Sequence, residues 1–178
     1  MTPEELSSRL PADFPALGLT CRVDKGHAVV EIAADKLIQL VVGIKTAPDY
    51  AFHLLMDLTA VDWFEKRPVR FDLVYHFCSI VHNHRLRVKV QVADGERAPS
   101  LTHLWPIADW FEREVWDLYG IKFEGHPNLK RLLLYEEFKG HPLRKDYPYD
   151  MRQPLLPETW PVKNAQVHSD EAGKIHRP

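Results

Sequence analysis

Four-thiolate chemistry is beyond this chain: its 178 residues hold two cysteines, Cys21 and Cys78, far apart and with no C-x-x-C anywhere. An iron–sulfur cluster takes four thiolates, so the chain alone cannot hold one. Two distant cysteines in a reducing compartment are expected as free thiols, not as a disulfide. Glycine is sparse too, and its eight residues are scattered, with no phosphate-cradling loop to suggest a nucleotide site. No run approaches the ~18 uninterrupted apolar residues of a membrane span. Met1-Thr2-Pro3-Glu4-Glu5 is acidic and lacks a secretory signal's basic and apolar regions, so a cytoplasmic chain is expected. An excess of one charge is also missing: 23 Lys and Arg meet 25 Asp and Glu. That balance gives no reason to expect nucleic acid or an anionic membrane as the main partner.

Catalytic constellations are missing as well. Ten histidines are present, but no H-x-x-x-H stands beside a carboxylate on a helix. His82 and His84 share a turn, and His126 and His141 are each fixed by a following proline. No Ser or Cys sits in a nucleophile motif. Glu112 and Glu114 are two apart on a helix and diverge, so they do not flank one substrate. We therefore expect no catalytic, cofactor-binding or metal-ligating residues on this chain.

What the chain does have is one stretch dense in ions, Glu112 to Pro148. Ile107 to Tyr119 reads as an amphipathic helix with Ile107, Phe111, Val115 and Leu118 on its apolar stripe. Gly120 stands where a helix end needs a left-handed residue. Asp109, Arg113 and Asp117 are spaced four apart, so one guanidinium can lie between two carboxylates. Such charges are either a solvated helix face or a brace for the following loop or a neighbouring subunit. Two Gly-His-Pro turns follow, Gly125-His126-Pro127 and Gly140-His141-Pro142. Glycine frees the backbone there and proline holds the histidine extended. They read as rigid corners presenting Arg131, Arg144 and Lys145, with Leu132 to Tyr135 between them strand-like or a single helical turn.

The rest of the chain supplies a scaffold. Thr2 to Leu10 reads as a helix capped by Thr2, with Pro3, Glu4 and Glu5 in its first turn. Leu19 to Val23 and Ala28 to Ala33 flank a hairpin turn at Asp24-Lys25-Gly26. Lys36 to Lys45 reads as helical, although Val41, Val42 and Ile44 also permit a strand, and Thr46, Pro48 and Asp49 read as the start of another helix running to about Asp57. Leu58 to Trp63, Phe71 to Phe77 and Arg85 to Val92 read as strands, the last two by clear alternation, with His82-Asn83-His84 turning between them. The predicted fold is α+β, a two-layer α/β sandwich with a mixed, largely antiparallel sheet and helices on one face. The expected boundaries are a domain over 1–148 and an extended Pro-rich tail over 149–178, which is either plainly disordered or ordered by lying on a partner, with Trp160 then its best anchor.

The ordered set Glu112-Arg113-Glu114, Asp117, Gly120, Phe123, His126-Pro127, Leu129, Arg131 and Leu132 closely resembles the signature of the C-type, or 30 kDa-type, subunit of the NADH:quinone oxidoreductase family of respiratory complex I. Gly140-His141-Pro142-Leu143-Arg144-Lys145-Asp146-Tyr147-Pro148 is similar to that family's terminal motif. A weaker likeness reaches back through Leu58-Thr59-Ala60-Val61-Asp62 and Val74-Tyr75-His76. The resemblance implies a non-catalytic subunit of the peripheral arm, on the cytoplasmic side of the cell inner membrane. FMN, iron–sulfur clusters, NADH and quinone would be bound by partner subunits. This chain would scaffold the larger, D-type subunit that helps shape the quinone site, and adjoining iron–sulfur subunits, through the signature and terminal-motif residues. Similar subunits serve membrane-bound hydrogenases and ferredoxin- or deazaflavin-dependent oxidoreductases, which is the second reading. A free-standing metal-binding protein is the third.

Overall fold

Strands β1 (Thr20–Asp24), β2 (His27–Ile32), β3 (Leu54–Asp62), β4 (Phe71–Ser79) and β5 (His84–Val92) form one sheet in the spatial order β1-β2-β5-β4-β3. The computed structural model describes residues 1–150 and 153. Neighbouring strands run antiparallel except β2 and β5, which are parallel, with Ala28 beside Leu86 and Ile32 beside Val90. This is the mixed, largely antiparallel sheet that the sequence predicts. Its alternation is literal: Phe71, Leu73, Tyr75 and Phe77 of β4 and Leu86, Val88, Val90 and Val92 of β5 are all buried on one face. Arg85, Arg87, Lys89 and Gln91 point to the other, because successive residues of a strand alternate sides.

Three helices cover the apolar face: α1 (Pro3–Asp13), α2 (Leu37–Thr46) and α3 (Ala108–Tyr119). Leu6 and Leu10, Leu37, Leu40, Val41 and Ile44, and Val115 join the inward strand residues in one core. Burying side chains of this kind contributes roughly 1.5–3 kcal/mol each, so the core outweighs any single polar contact. The α1 cap is the expected one, closed in both directions. Thr2 Oγ1 accepts from the Glu5 N–H at 3.2 Å and Glu5 Oε2 from the Thr2 N–H at 2.8 Å. The β1–β2 hairpin turns on Lys25 and Gly26, both at positive φ, the geometry that matches strand twist.

One predicted element is absent. Thr46 does not cap a new helix but ends α2, its hydroxyl donating back to the Val42 carbonyl at 2.8 Å. Pro48 stops the helix, Ala51 turns the chain at positive φ, and Leu54 onward pairs with β4 as β3. Pairing along nine residues outweighs the local cap signal, since propensity is a weak prior against tertiary contacts. The run Leu132 to Tyr135 is neither strand nor helical turn; it bends around a carboxylate described below. A short parallel ribbon of β6 (Arg97–Pro99) and β7 (Lys122–Glu124) has no counterpart among the predicted elements. It ties together the segments that enter and leave α3.

Candidate functional site

Helix α3 is turned differently from its sequence stripe. Ala108, Glu112, Val115 and Asp117 are buried, whereas Ile107 is 43% and Trp110 52% exposed. Of the expected stripe, Val115 is in the core, Phe111 packs against its edge and Ile107 lies outside. The rotation is possible because both buried carboxyls have dedicated donors. Gly120 ends the helix at φ +81°, as expected, with its N–H on the Trp116 carbonyl at 2.8 Å.

Asp117 is the first hub. Its Oδ2 accepts from the backbone N–H groups of Leu132, Leu133 and Leu134 at 3.0, 2.8 and 2.9 Å, and its Oδ1 takes Arg131 Nη1 at 2.8 Å. Burial alone would raise this carboxyl. Arg131 and the three N–H groups outweigh burial and hold it below the usual range. Arg131 also donates through Nη2 to the carbonyls of Phe138 and Gly140 at 2.6 and 3.1 Å, fixing the second Gly-His-Pro corner. The predicted Asp109-Arg113-Asp117 ladder does not form. Arg113 donates to the carbonyls of Lys130 and Arg131 at 3.2 and 2.9 Å, and Asp109 lies 3.1 Å from His126 Nε2. Helix spacing permits such pairs but does not outbid backbone groups that need partners.

The terminal motif is held at a second hub. Arg70 donates to Asp62 through Nε and Nη2 at 3.0 and 2.9 Å, to Asp94 at 2.9 Å and to Asp146 at 3.0 and 2.6 Å. Arg144 grips Asp94 with two bonds of 3.0 and 2.7 Å and also reaches Asp146 at 3.2 Å. The backbone N–H groups of Lys145 and Phe64 close on Asp62 at 2.8 and 2.9 Å. Hydrogen bonds from Arg70 and then Arg144 hold Asp146 well below the usual carboxylate range. Arg131 and Arg144 thus face inward rather than being presented from their corners, while Lys145 is exposed.

Packing completes the corner. His141 Nδ1 bonds the Asp117 carbonyl at 2.9 Å, and its ring lies so close under Gly120 that a Cβ there would stand 2.7 Å from His141 Cδ2. The Leu143 N–H reaches the Leu118 carbonyl at 3.0 Å. Gly140, at φ +88°, rests on the Tyr147 ring, which stacks on Phe138. His126 Nδ1 accepts from the Asn128 N–H at 3.0 Å inside its own turn. Pro127 and Pro148 are exposed, Pro142 and Glu114 half-buried. Gln153 is tied to Lys139 by two bonds of 2.8 and 2.6 Å. Trp160, the expected anchor, lies outside the described residues, as does most of the tail.

Sequence reasoning missed Arg70 and Asp94, and took Asp62 only as part of a likeness. Nor did it anticipate that Glu112 is buried. Glu112 is fully buried: Oε1 accepts the Leu101 N–H at 2.6 Å, and Oε2 has no partner. Burial pushes this carboxyl up to about 7, against the pull of the Leu101 N–H and Ser100. The buried Tyr75 hydroxyl is also unpartnered, and its acidity is suppressed by burial and by Glu112.

Among the described residues, no cluster of three His, Cys, Asp or Glu is placed to hold a metal ion. Both cysteines are free and half-buried, and burial raises the Cys21 thiol to about 11. A cleft of about 320 Å³ lined by His27, Met56, His76 and Arg85 lies on the open face of the sheet and shares no residue with the charged corner. No described helix is long and apolar enough to cross a membrane.

With this geometry in view, relatives place the chain. The sequence model of the family described as respiratory-chain NADH dehydrogenase, 30 Kd subunit, matches residues 30–153. The C-type subunit of NADH-quinone oxidoreductase from a Caulobacter sp. is 52% identical over 65% of this chain and 53% of its own length. Its counterpart in Cereibacter sphaeroides is 41% identical over 82% of this chain and 72% of its own. The chain thus matches about half the length of the first relative and less than three quarters of the second. A trypsin-resistant fragment of Nqo5 superposes with a TM-score of 0.62 at 30% identity, covering 72% of this chain and all of that one. A chain of a membrane-bound sulfane sulfur reductase, an archaeal respiratory membrane complex, gives 0.67 at 25% identity over 82% of this chain and 85% of its own.

Proposed function

The chain belongs to the 30 kDa subunit family of respiratory-chain NADH dehydrogenases, and from that premise we propose that it is a cofactor-free structural subunit of a proton-translocating NADH:quinone oxidoreductase. In this reading it scaffolds the larger quinone-site subunit and adjoining iron–sulfur subunits. Electrons pass from NADH through FMN and iron–sulfur clusters to quinone on those partners, at the cytoplasmic side of the inner membrane.

One observation carries the reading. At both hubs of the signature corner, the buried charges are engaged by an opposite charge or by the chain's own backbone. Charge-assisted bonds of this kind, several of them bidentate, fix geometry more than they add net stability. A corner so braced offers an invariant shape to a partner.

The chain carrying an affinity tag should be recovered from native, detergent-solubilised membranes together with the quinone-site subunit, a flavoprotein and iron–sulfur subunits, with NADH:quinone activity. Recovery of the chain alone sinks the reading. The second reading, the equivalent subunit of a sister complex, is favoured by the likeness to the sulfane sulfur reductase chain. Co-purification with subunits that lack an NADH-oxidising flavoprotein would select it.

A further inference from the structure

We propose that Glu112 is a proton-controlled latch: with its proton it seats α3 against the segment that enters the helix, and without it that seam and the Asp117 corner open together. The latch operates in the free chain, with or without a partner.

Helix α3 is held at two buried carboxyls with opposite support. Asp117 has a cation, Arg131, and three backbone N–H groups, so it keeps its place as an anion. Glu112, earlier on the same helix, is as deeply buried but bonds one backbone donor, the Leu101 N–H at 2.6 Å, and its Oε2 has no hydrogen-bond partner. The elements around it add no compensating charge. Strand β4 brings Tyr75, whose hydroxyl is itself unpartnered, and the entering segment brings Ser100. Strands β3 and β7 also pack against α3. The first turns in Leu58 and Ala60 and ends at Asp62, which Arg70 holds; the second carries buried Phe123 between exposed Lys122 and Glu124. On α3 itself Asp109, with His126 Nε2 3.1 Å from it, disfavours a second anion, and Arg113 is bonded to the carbonyls of Lys130 and Arg131. No cation is among the groups that perturb Glu112. A buried carboxylate in such a place is costly, whereas the neutral acid is tolerated.

The seam that Glu112 closes is joined to the corner by two routes. Ser100, next to Leu101, donates its N–H to the Glu124 carbonyl at 2.9 Å at the end of the β6–β7 ribbon. Glu124 leads through the first Gly-His-Pro turn to Arg131 and to the Leu132, Leu133 and Leu134 amides that Asp117 gathers. The helix is the second route, since Glu112 and Asp117 stand about 7.5 Å apart along its axis. Opening the seam lets the Glu112 carboxyl meet water, where it ionises near 4.5 and not at about 7. The closed seam is therefore fully favoured below 4.5 and is weakened as pH rises through about 7, roughly tenfold between about pH 6 and about pH 8.

The test is amide hydrogen exchange of the full-length chain, followed residue by residue by NMR and corrected for the base catalysis of exchange itself. Leu101 reports the seam, Leu132 to Leu134 report the corner, and Val88, buried in β5, reports unfolding of the whole. The Leu101 and Leu132 to Leu134 amides should exchange faster than Val88, by a route that small additions of urea do not speed, the mark of a local opening. Their protection should fall roughly tenfold between about pH 6 and about pH 8 in the wild type and stay level in Glu112→Gln. Should that variant fold poorly, the wild-type carboxyl carbons carry the test: Glu112 should titrate at about 7, and the Leu132 to Leu134 amide shifts should follow with the same midpoint. The latch is overturned if Leu101 responds to pH while Leu132 to Leu134 do not, if neither responds, or if all of them exchange only when Val88 does. A Glu112 carbon that titrates in the ordinary carboxylate range overturns it too.

Discussion

Replacing Glu112 with glutamine should change how the stability of the whole chain depends on pH. The side chain is fully buried, with Oε1 on the Leu101 N–H and Oε2 unpartnered near the edge of the core. Ser100, Leu101, Asp109 and Tyr75 are the polar groups that influence it or are influenced by it, and none carries a positive charge. Burial therefore dominates, and the folded protein retains the proton up to about pH 7 against an ordinary value of 4.5. In the unfolded chain the proton leaves near 4.5. The neutral carboxyl's contribution is thus fully present below that value and is lost as pH rises through about 7. At 1.36 kcal/mol per pK unit, the difference amounts to about 3 kcal/mol.

Glu112→Gln keeps the size of the side chain and an oxygen for the Leu101 N–H but never ionises. Urea unfolding of both proteins from about pH 4 to about pH 8 should show the variant gaining about 3 kcal/mol on the wild type over that range. A difference of that size corresponds to roughly 6–12 °C in Tm for a domain of this length. Infrared difference spectra near pH 6, below the raised value, should show a carboxylic-acid carbonyl band that the variant lacks. A stability difference independent of pH, with a carboxylate band under the same conditions, would refute the reasoning.

Three further outcomes follow from the same corner. Asp117→Asn leaves half-buried Arg131 and the three leucine N–H groups facing a neutral amide and should lower the urea midpoint; an unchanged midpoint would mean these donors do not depend on the charge. Gly120→Ala places a methyl at φ +81° and 2.7 Å from His141 Cδ2; it should cost at least the ~1–2 kcal/mol of a left-handed residue and shift the His141 ring resonances, and normal stability would show that the corner yields. Asp146 is held low by Arg70 and Arg144, and its contribution is present above the ordinary carboxylate range and lost as pH falls through the lowered value. Asp146→Asn should therefore lose less stability than the wild type between about pH 5 and about pH 2, and an identical acid profile would assign that sensitivity elsewhere.

The strands β4 and β5 are legible in the sequence because a period of two writes burial directly into residue type. So are the α1 cap and the Gly120 stop, where one local geometry demands one kind of residue. The Thr46 helix misleads because its cap signal is local, whereas β3 is decided by pairing with β4. Glu112 is illegible for another reason: an acid on a helix next to Arg113 and Glu114 reads as solvent-facing, and nothing nearby reports that Leu101 will bring a donor to it. Arg70 and Asp94 lie outside the ion-dense stretch, and only the sheet brings them to Asp146. The recognisable residues thus mark where the corner is, while much of what holds it comes from elsewhere in the chain.

The parallel seam between β2 and β5 has a kinetic side. Ala28 meets Leu86 only after α2, β3 and β4 have been made between them, whereas β3, β4 and β5 follow one another as simple antiparallel neighbours. Closing so long a loop is entropically unfavourable until the contact itself forms. The β1–β2 hairpin, which precedes β5 in the chain, therefore has to wait for β5 before it gains its place beside it, and its docking is expected to come late in folding.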